Sequence, residues 1–245
     1  MSNFTFNISL SILNHLGRNL YRSIMTVLGE AISNSWDADA ENVYITIDRE
    51  ANNISIYDDG NGMTEYDFQN KFLKIGYSKR KGGVNLSEHS RPFIGRKGIG
   101  KLALLSCAKK ITILSRTRQG QLIGGVIDNA GLDDAIKDDV STNDYTLGVP
   151  DKEIYDKYDS LLTNGTAIIF EELTDGIRNR VEYIRTLIAL YFRFSLIDSK
   201  FTIHLNGTPI TLEELKPLAD STQFIWNINN LQDPYIENSL IGNAH

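Results

Sequence analysis

Apolar side chains recur along the chain at two spacings, and each spacing predicts a different kind of element. Between residues 12 and 38 they return every three or four positions, the period of an α-helix, so one or two helices are predicted there. The same period predicts a long amphipathic helix over 178–195 and a short apolar helix over 101–108. Thr64 is typical of a helix N-cap, and the residues after it predict a short helix with an inward apolar face.

Short runs rich in β-branched residues predict strands. These runs cover residues 43–48, 54–57, 110–116, 121–128, 166–170 and 201–205, and the alternating stretch 4–9 predicts an edge strand. The pair Asn52-Asn53 lies between the first two runs, and Asn164-Gly165 precedes a later one. Both pairs favour turns, so the first two runs should form neighbouring strands.

Two segments between these elements have unusual compositions. Residues 78–92 are polar and basic and contain adjacent glycines, which is typical of a surface loop. Because this loop leads directly into a glycine-rich stretch, we predict a lid over residues 78–94. Residues 131–160 carry nine acidic and three basic side chains, which predicts an insertion on the surface.

The composition is that of a globular chain. Its 245 residues are 41% hydrophobic, which is enough for an ordinary core. The chain has no run of eighteen apolar residues and does not begin with the pattern of a secretory signal, so we expect no membrane partner and a cytoplasmic location. The single cysteine, Cys107, lies in an apolar run and is predicted to be a buried, inert thiol.

Charge is distributed unevenly. A net charge of −6 argues against a protein that coats nucleic acid over its whole surface. Between Lys79 and Lys101, however, seven basic residues stand against the single acid Glu88, so this stretch carries +6 and the remainder −12. The basic stretch predicts a polyanionic ligand, and a local nucleic-acid patch stays open as an alternative.

Three polar residues interrupt the helix predicted around residue 30. Glu30 and Asn34 lie one helical turn apart on one face, and Asp37 lies one turn further along it. By itself this pattern is typical of a solvated helix side. A second polar stretch, Asp58-Asp59-Gly60-Asn61-Gly62-Met63, begins where a predicted strand ends, and by itself it is typical of a turn.

The glycine-rich stretch is Gly95-Arg96-Lys97-Gly98-Ile99-Gly100-Lys101. It has the spacing of a P-loop, but Leu102 stands where a P-loop needs Ser or Thr to bind magnesium, and no long buried strand leads into it. A dinucleotide-binding fold would require a strand, a glycine turn and a helix in its first unit. The remaining interpretation is a helix N-terminus whose backbone N–H groups suit phosphates.

The order of these motifs resembles the GHKL ATPase superfamily, which groups DNA gyrase B subunits, ninety-kilodalton heat-shock chaperones, sensor histidine kinases and MutL repair proteins. Glu30-x-x-x-Asn34 with Asp37-Ala38 is similar to its first motif, and Asp58-x-Gly60-x-Gly62-Met63 to its second. Gly95-x-x-Gly98-x-Gly100 is similar to the third motif and Gly165-Thr166 to the fourth. The resemblance covers about residues 12–206 and is nearest to the chaperone-like and MORC-like modules.

The resemblance implies ATP and Mg²⁺ as ligands and a role for each matched residue. Asp58 would accept a hydrogen bond from the adenine amino group, and Thr166 would support it through its hydroxyl and a water molecule. Asn34 would bind the magnesium ion, and Glu30 would be the catalytic base that deprotonates the attacking water. The further ATP-binding positions would be Asp37, Gly60, Gly62, Met63, Gly95, Lys97, Gly98, Ile99, Gly100 and Lys101.

The resemblance also implies the architecture. The fold class would be α+β, a two-layer sandwich of a mixed, mostly antiparallel sheet with helices on one face. The ATPase domain would span residues 1–210, including the lid over 78–94 and the acidic insertion over 131–160. Residues 211–245 would begin a following region or a linker.

Related modules use ATP to close a lid and dimerise. We therefore expect slow ATP hydrolysis that drives lid closure, homodimerisation and control of an effector domain or partner protein. The alternatives are a nucleotide sensor without hydrolysis and an ATP-gated nucleic-acid clamp. Autokinase activity is not expected, because His15 is followed by Leu16-Gly17 instead of an acidic residue. Gyrase and MutL relatives complete their site with a lysine from a following domain. Here Lys97 or Lys101 would substitute for it, or the lysine would lie in a region that follows residue 245.

Overall fold

A seven-stranded sheet carries the rest of the fold. The structure, a computed structural model, describes residues 24–74, 86–94, 107–129, 146–193, 195–196 and 198–223. The strands are β1 (Asn42–Asp48), β2 (Asn53–Asp58), β3 (Ala108–Arg116), β4 (Ile123–Asp128), β5 (Gly165–Leu173), β6 (Thr202–Leu205) and β7 (Thr208–Pro209). The helices are α1 (Ile24–Asp37), α2 (Glu65–Asp67), α3 (Lys152–Leu161), α4 (Val181–Tyr191) and α5 (Lys216–Asp220). A π-helical turn (Phe68–Phe72) continues α2, and a 3₁₀ turn (Leu212–Leu215) precedes α5.

The strands are ordered β4-β3-β5-β2-β1-β6-β7 across the sheet. All neighbouring strands are antiparallel except β1 and β6, which pair in parallel. The predicted α+β class with a mixed, mostly antiparallel sheet is therefore confirmed. The turn between β1 and β2 ends at Asn52, whose φ of 57° is the left-handed conformation that asparagine tolerates.

The main core lies between one face of the sheet and the helices α1 and α4. Helical spacing directs Val27, Leu28, Ala31 and Ile32 of α1 toward the sheet, as predicted. Strand alternation directs every second residue of the central strands to meet them, because side chains alternate between the faces of a strand. Each fully buried aliphatic side chain contributes roughly 1.5–3 kcal/mol, so this layer supplies most of the hydrophobic stabilisation.

The second face of the sheet has a smaller cover of its own. Helix α3 buries Tyr158 against a cluster that includes Leu114 and Ile169, which lie on the opposite face of their strands from the main core. Tyr158 meets the ring of Tyr57 edge to face, with ring centroids 6.1 Å apart. The acidic segment 131–160 is therefore more than an exposed insertion: its last third folds onto the sheet, and helices contact both faces. Residues 131–145 lie outside the described residues.

Residues 86–94 are tied to the body by a buried arginine. The Arg91 side chain is 5% exposed, and its guanidinium lies over the rings of Trp36 and Phe201 at 4.7 and 5.4 Å from their centroids. Its N–H groups donate to the carbonyl oxygens of Ala40 and Lys200. One of the seven basic side chains of the stretch is thus buried in the core and cannot contact a nucleic acid. This burial weakens the nucleic-acid interpretation of the stretch.

Several predicted boundaries can be compared with the structure. Thr64 is the N-cap of α2 and forms a capping box with Asp67, as its sequence position predicts. The helix predicted over 101–108 does not reach its last residue, because Ala108 begins β3 and pairs with Leu173 of β5. Burial raises the pKa of the Cys107 thiol to about 12, in agreement with an inert thiol. The predicted elements over 4–9 and 101–106 lie outside the described residues.

No helix among the described residues is both long and apolar enough to cross a bilayer.

Thr112 on β3 provides a test of the packing. Its side chain is 0% exposed, and within the described part of the chain its hydroxyl has no hydrogen-bond partner. Valine has the same shape without the hydroxyl, so Thr112→Val should raise the free energy of unfolding by about 1 kcal/mol. Thr46→Val, at an exposed position of β1, is the matched control and should change it by less than about 0.5 kcal/mol. Denaturant unfolding measures both, and a less stable Thr112→Val would contradict the assignment.

Candidate functional site

A cavity of ≈ 370 Å³ lies between α1, the ends of β2 and β5, and the π-helical turn. Its lining combines apolar walls with carboxylate, amide and hydroxyl groups. The lining residues are Glu30, Ala31, Asn34, Ser35, Asp37, Ala38, Ile56, Asp58, Gly62, Met63, Asp67, Lys71, Phe72, Phe93, Thr166 and Ile168.

Residues from three separate sequence motifs meet in this cavity. The predicted site residues in its lining are Glu30, Asn34, Asp37, Asp58, Gly62, Met63 and Thr166. Gly60 lies beside them, and its backbone N–H donates to the Asp58 carboxylate. The third motif, with Gly95, Lys97, Gly98, Ile99, Gly100 and Lys101, lies outside the described residues.

Asp58 places a carboxylate at the inner end of the cavity. It follows Ile54 and Ile56 on the core face of β2, and strand alternation therefore buries it to 7% exposure. Its Oδ2 accepts a hydrogen bond of 2.9 Å from the Ser35 hydroxyl. Its Oδ1 accepts from the backbone N–H groups of Gly60 at 3.0 Å and Thr166 at 3.3 Å.

Burial raises the pKa of Asp58 to about 6, and the three hydrogen bonds to its oxygens oppose that rise because they favour the charged form. The carboxylate is therefore ionised at neutral pH but protonated in mildly acidic solution. A buried carboxylate that opens onto a cavity is an acceptor for a ligand donor group.

Three polar side chains form a row across neighbouring strands beside the cavity. Ser115 of β3 is paired with Thr166 of β5, and Thr166 lies beside Asp58 of β2. The Ser115 and Thr166 hydroxyl oxygens are 3.0 Å apart. Ser115 also donates to the carbonyl oxygen of Gly165 at 2.9 Å and accepts from the backbone N–H of Met63 at 3.0 Å. The row thus joins the motifs that begin at Asp58 and Gly165.

Two glycines are required by close backbone approaches in this region. Gly62 has φ 66°, and a Cβ there would lie 1.9 Å from the carbonyl oxygen of Arg116. Gly165 has φ 116°, and a Cβ there would lie 1.9 Å from the carbonyl oxygen of Asp58. Any side chain at either position would push the strand ends apart, so the glycines set the shape of the inner end of the cavity.

Glu30 and Asn34 line the cavity from α1. The Asn34 side-chain N–H donates to Glu30 Oε1 at 3.5 Å, across one helical turn. The Asn34 amide nitrogen only donates, and it faces Glu30. The amide oxygen is therefore the Asn34 atom that can accept a donor or bind a cation. The predicted shared face of these two residues is thus present, and it faces the cavity instead of open solvent.

Asp37 lies in the lining but also has a structural partner. Its Oδ1 accepts a hydrogen bond of 2.8 Å from the backbone N–H of Ile94. The adjacent Trp36 donates through Nε1 to the carbonyl oxygen of Pro92 at 3.0 Å. These two bonds hold the end of segment 86–94 against α1 and bring Phe93 into the cavity wall.

Sequence reasoning missed several residues of the site. Ser35 and Ser115 hold Asp58 and Thr166, but one buried serine in a helix and one in a strand give no sequence signal. Lys71 lines the cavity from the π-helical turn and forms an ion pair of 2.5 Å with Asp67. The pair has the i, i+4 spacing of a helix surface, so only a search for cations after the second motif could have suggested it.

The described lining is strongly acidic. It contains four carboxylates, from Glu30, Asp37, Asp58 and Asp67, and one cation, Lys71. The described residues contain no group of three or more His, Cys, Asp or Glu that could hold a metal ion alone. An anionic ligand in this cavity would therefore need cations from beyond its described walls.

Comparisons with known proteins give one curated relative and one family match. A curated relative from Herpetosiphon aurantiacus, named "Putative type II restriction enzyme HgiDII", is 31% identical over 234 residues. The aligned segment covers 96% of this chain and 36% of the relative, so the chain spans about a third of the relative's length.

A family described as "Histidine kinase-, DNA gyrase B-, and HSP90-like ATPase" matches residues 21–141. This match contains the first three motifs, helix α1, strand β2 and the π-helical turn beside the cavity but not β5, and it implies ATP binding. Residues 21–141 are thus similar to the family of histidine kinase-, DNA gyrase B- and HSP90-like ATPases.

Proposed function

We propose that the chain binds Mg-ATP in the cavity beside α1 and hydrolyses it slowly, and that the bound state controls a further domain or partner. The observation that carries this proposal is the buried carboxylate of Asp58, which opens onto a cavity that also contains Glu30 and Asn34. The family match supplies the nucleotide.

Adenine is held at the inner end of the cavity. Asp58 accepts a hydrogen bond from the amino group of the base, and a hydrogen bond to a charged acceptor contributes about 1.5–3 kcal/mol. Thr166, on the neighbouring strand, contributes a second polar contact. Gly62, Met63 and the apolar side chains of Ile56 and Ile168 provide the walls for the ring.

The phosphates lie toward Asn34 and Lys71. The donor set fits Mg²⁺, because this ion takes one or two protein oxygens and completes its coordination with phosphate oxygens and water. Asn34 supplies such an oxygen through its amide. The bound ion would neutralise phosphate charge, which this acidic lining cannot do alone. Lys71 adds a second positive charge. Further backbone N–H groups from the third motif, Gly95 to Lys101, stay a prediction from the sequence, because that motif lies outside the described residues.

Glu30 is the base that takes a proton from the attacking water. Its carboxylate lines the same cavity as Asn34, and its Oε1 accepts a long hydrogen bond of 3.5 Å from the Asn34 side-chain N–H across one helical turn. A positioned carboxylate of this kind accelerates proton transfer by about 10²–10⁴-fold. A sensor that only binds nucleotide has no need of a base at this position.

ATP binding closes the lid over residues 78–94 and favours a homodimer. The described half of this segment is held against α1 by Arg91 and by the bonds to Trp36 and Asp37, so it forms the fixed base of the lid. Phe93 links this base to the cavity wall. Control of an effector domain or partner protein belongs to the same proposal. Cytoplasmic location stays a prediction from the sequence.

A second candidate is an ATP-gated nucleic-acid clamp. The name of the relative describes a restriction enzyme, which favours a connection with DNA. Salt-dependent DNA binding that is weakened by neutralising Arg80 and Lys81 would support this candidate.

The first test is Asp58→Asn. Asparagine keeps one oxygen for Gly60 and Thr166, but its amide N–H₂ would oppose the adenine amino group. We expect Mg-ATP affinity, measured by calorimetry at pH 7.5, to fall by about 10–100-fold. Asp59→Asn is the matched control, since Asp59 caps β1 through the backbone N–H groups of Glu41 and Asn42 and lies outside the cavity lining. Equal losses in both variants would contradict the adenine contact.

The raised pKa gives the same residue a pH signature. The Asp58 pKa of about 6 exceeds the value of 3.8 in an unfolded chain, so the folded protein binds this proton more tightly. The proton on Asp58 therefore adds to the free energy of unfolding. This contribution is complete below about pH 4 and is lost as the pH rises through 6, which lowers the free energy of unfolding by about 3 kcal/mol. ATP affinity should change in the opposite direction and fall below pH 6. Asp58→Asn should remove the stability trend and the part of the affinity trend that comes from Asp58, so that any remaining pH dependence of affinity reports protonation of the phosphates.

The second test is Glu30→Gln. Glutamine keeps the oxygen that accepts from Asn34 but cannot take a proton, so binding should persist while hydrolysis falls by at least about 100-fold. Glu65→Gln, on the exposed start of α2, is the matched control. Binding by the native chain without turnover would favour the sensor instead.

The same variant tests lid closure, because it should hold ATP without consuming it. With Mg-ATP, Glu30→Gln should gain hydrogen-exchange protection over 78–94 and show the mass of a dimer. Unchanged protection and mass would refute the proposed conformational response.

The third test is Lys71→Met. Lys71 pairs with Asp67 in the structure, and we expect it to contact the phosphates of bound ATP. The variant should lower ATP affinity by about tenfold and leave adenosine affinity unchanged, since only ATP carries the charge that Lys71 meets. Lys74→Met, three residues along and outside the cavity lining, should leave both affinities unchanged. Equal losses of affinity for ATP and adenosine would indicate that Lys71 contacts the adenosine part of the ligand and not the phosphates.

A further inference from the structure

Ser115 does not line the cavity, but it is bonded to two residues that do. Its side chain is 0% exposed, and it contacts Met63 and Thr166, which both contribute to the cavity wall. We propose that Ser115 is a positioning residue that turns the hydroxyl proton of Thr166 away from the cavity and so selects a purine with an amino group at position six. This inference rests on the proposed ATP site.

The direction of each hydrogen bond follows from counting protons. A serine hydroxyl has one proton and two lone pairs. The carbonyl oxygen of Gly165 can only accept, so the Ser115 proton points to it at 2.9 Å. The backbone N–H of Met63 can only donate, so it occupies one lone pair of Ser115 at 3.0 Å. The bond of 3.0 Å between the hydroxyls therefore has Thr166 as the donor.

This arrangement fixes what Thr166 presents to a ligand. Once its only proton is directed to Ser115, the Thr166 oxygen offers lone pairs alone. Asp58, ionised at neutral pH, also offers lone pairs alone. The inner end of the cavity therefore presents two acceptors side by side, one charged and one neutral.

Such a surface distinguishes bases by the group at position six. The amino group of adenine donates, whereas the oxo group of hypoxanthine or guanine would meet acceptors that cannot donate to it. A site whose polar groups are fixed rejects a mismatched ligand strongly, because neither partner can turn to form a hydrogen bond. Without Ser115, the Thr166 hydroxyl could rotate and donate to an oxo group.

The test compares the dissociation constants of ATP and ITP, which differ in the group at position six of the base and in the proton that N1 carries in the oxo form. In the native chain, measured by calorimetry with Mg²⁺, ATP should bind more tightly. In Ser115→Ala the ratio of the ITP and ATP constants should fall by about tenfold, because the penalty against the oxo group is relieved. Thr112→Val, a buried change on the same strand, is the matched control and should keep the native ratio. If alanine prevents folding, Ser115→Cys keeps similar volume with a much weaker acceptor and should lower the ratio in the same direction.

A double-mutant cycle shows whether Ser115 acts through Thr166. Thr166→Val removes the hydroxyl, so adding Ser115→Ala to it should change the ratio no further. A further fall equal to that of Ser115→Ala alone would overturn the inference. Equal weakening of ATP and ITP in Ser115→Ala would also overturn it, because loosening of the Met63 loop would explain that result. A native chain that binds no ATP would instead refute the proposed function and this inference with it.

Discussion

The Asp58 carboxylate is buried in an interior that disfavours charge, and much of the surrounding structure supplies the hydrogen bonds that oppose its protonation. Burial pushes its pKa upward, and hydrogen bonds from Ser35, Gly60 and Thr166 limit the rise to about 6. Two of these donors are backbone N–H groups, so the loop after β2 and the start of β5 must both approach closely. Gly165 permits that approach, since a Cβ at this position would collide with the carbonyl oxygen of Asp58.

The cavity extends from the Asp58 carboxylate toward α1, and its two ends suit different parts of the proposed ligand. Its inner end presents acceptors for a base, whereas the surface of α1 presents Glu30 and Asn34. The excess of carboxylates in the described lining explains why a triphosphate would need a metal ion and cations such as Lys71. The π-helical turn that carries Lys71 is of a kind often found at functional sites, because its irregular backbone directs side chains that a regular helix would place elsewhere.

Segment 86–94 connects this chemistry to the rest of the molecule. Arg91 is stacked on Trp36 and Phe201, and Asp37 accepts from the backbone of Ile94. A movement at the end of α1 would therefore pull directly on the base of the proposed lid. The same contacts show that a positive charge in sequence need not be a positive charge on the surface.

The sequence alone determined the α+β class and the layer that α1 forms against the central strands. Apolar periodicity is a local property, so the strands and α1 could be predicted, as could the shared face of Glu30 and Asn34 and the cap at Thr64. The order of four motifs predicted the ligand class. Only the tertiary structure decided that Ser115, Thr166 and Asp58 form one row, that Lys71 lines the cavity, that Arg91 is buried and that Tyr158 anchors part of the acidic segment. These facts depend on strand register and on contacts between residues far apart in sequence, which no local pattern of hydrophobic and polar positions encodes.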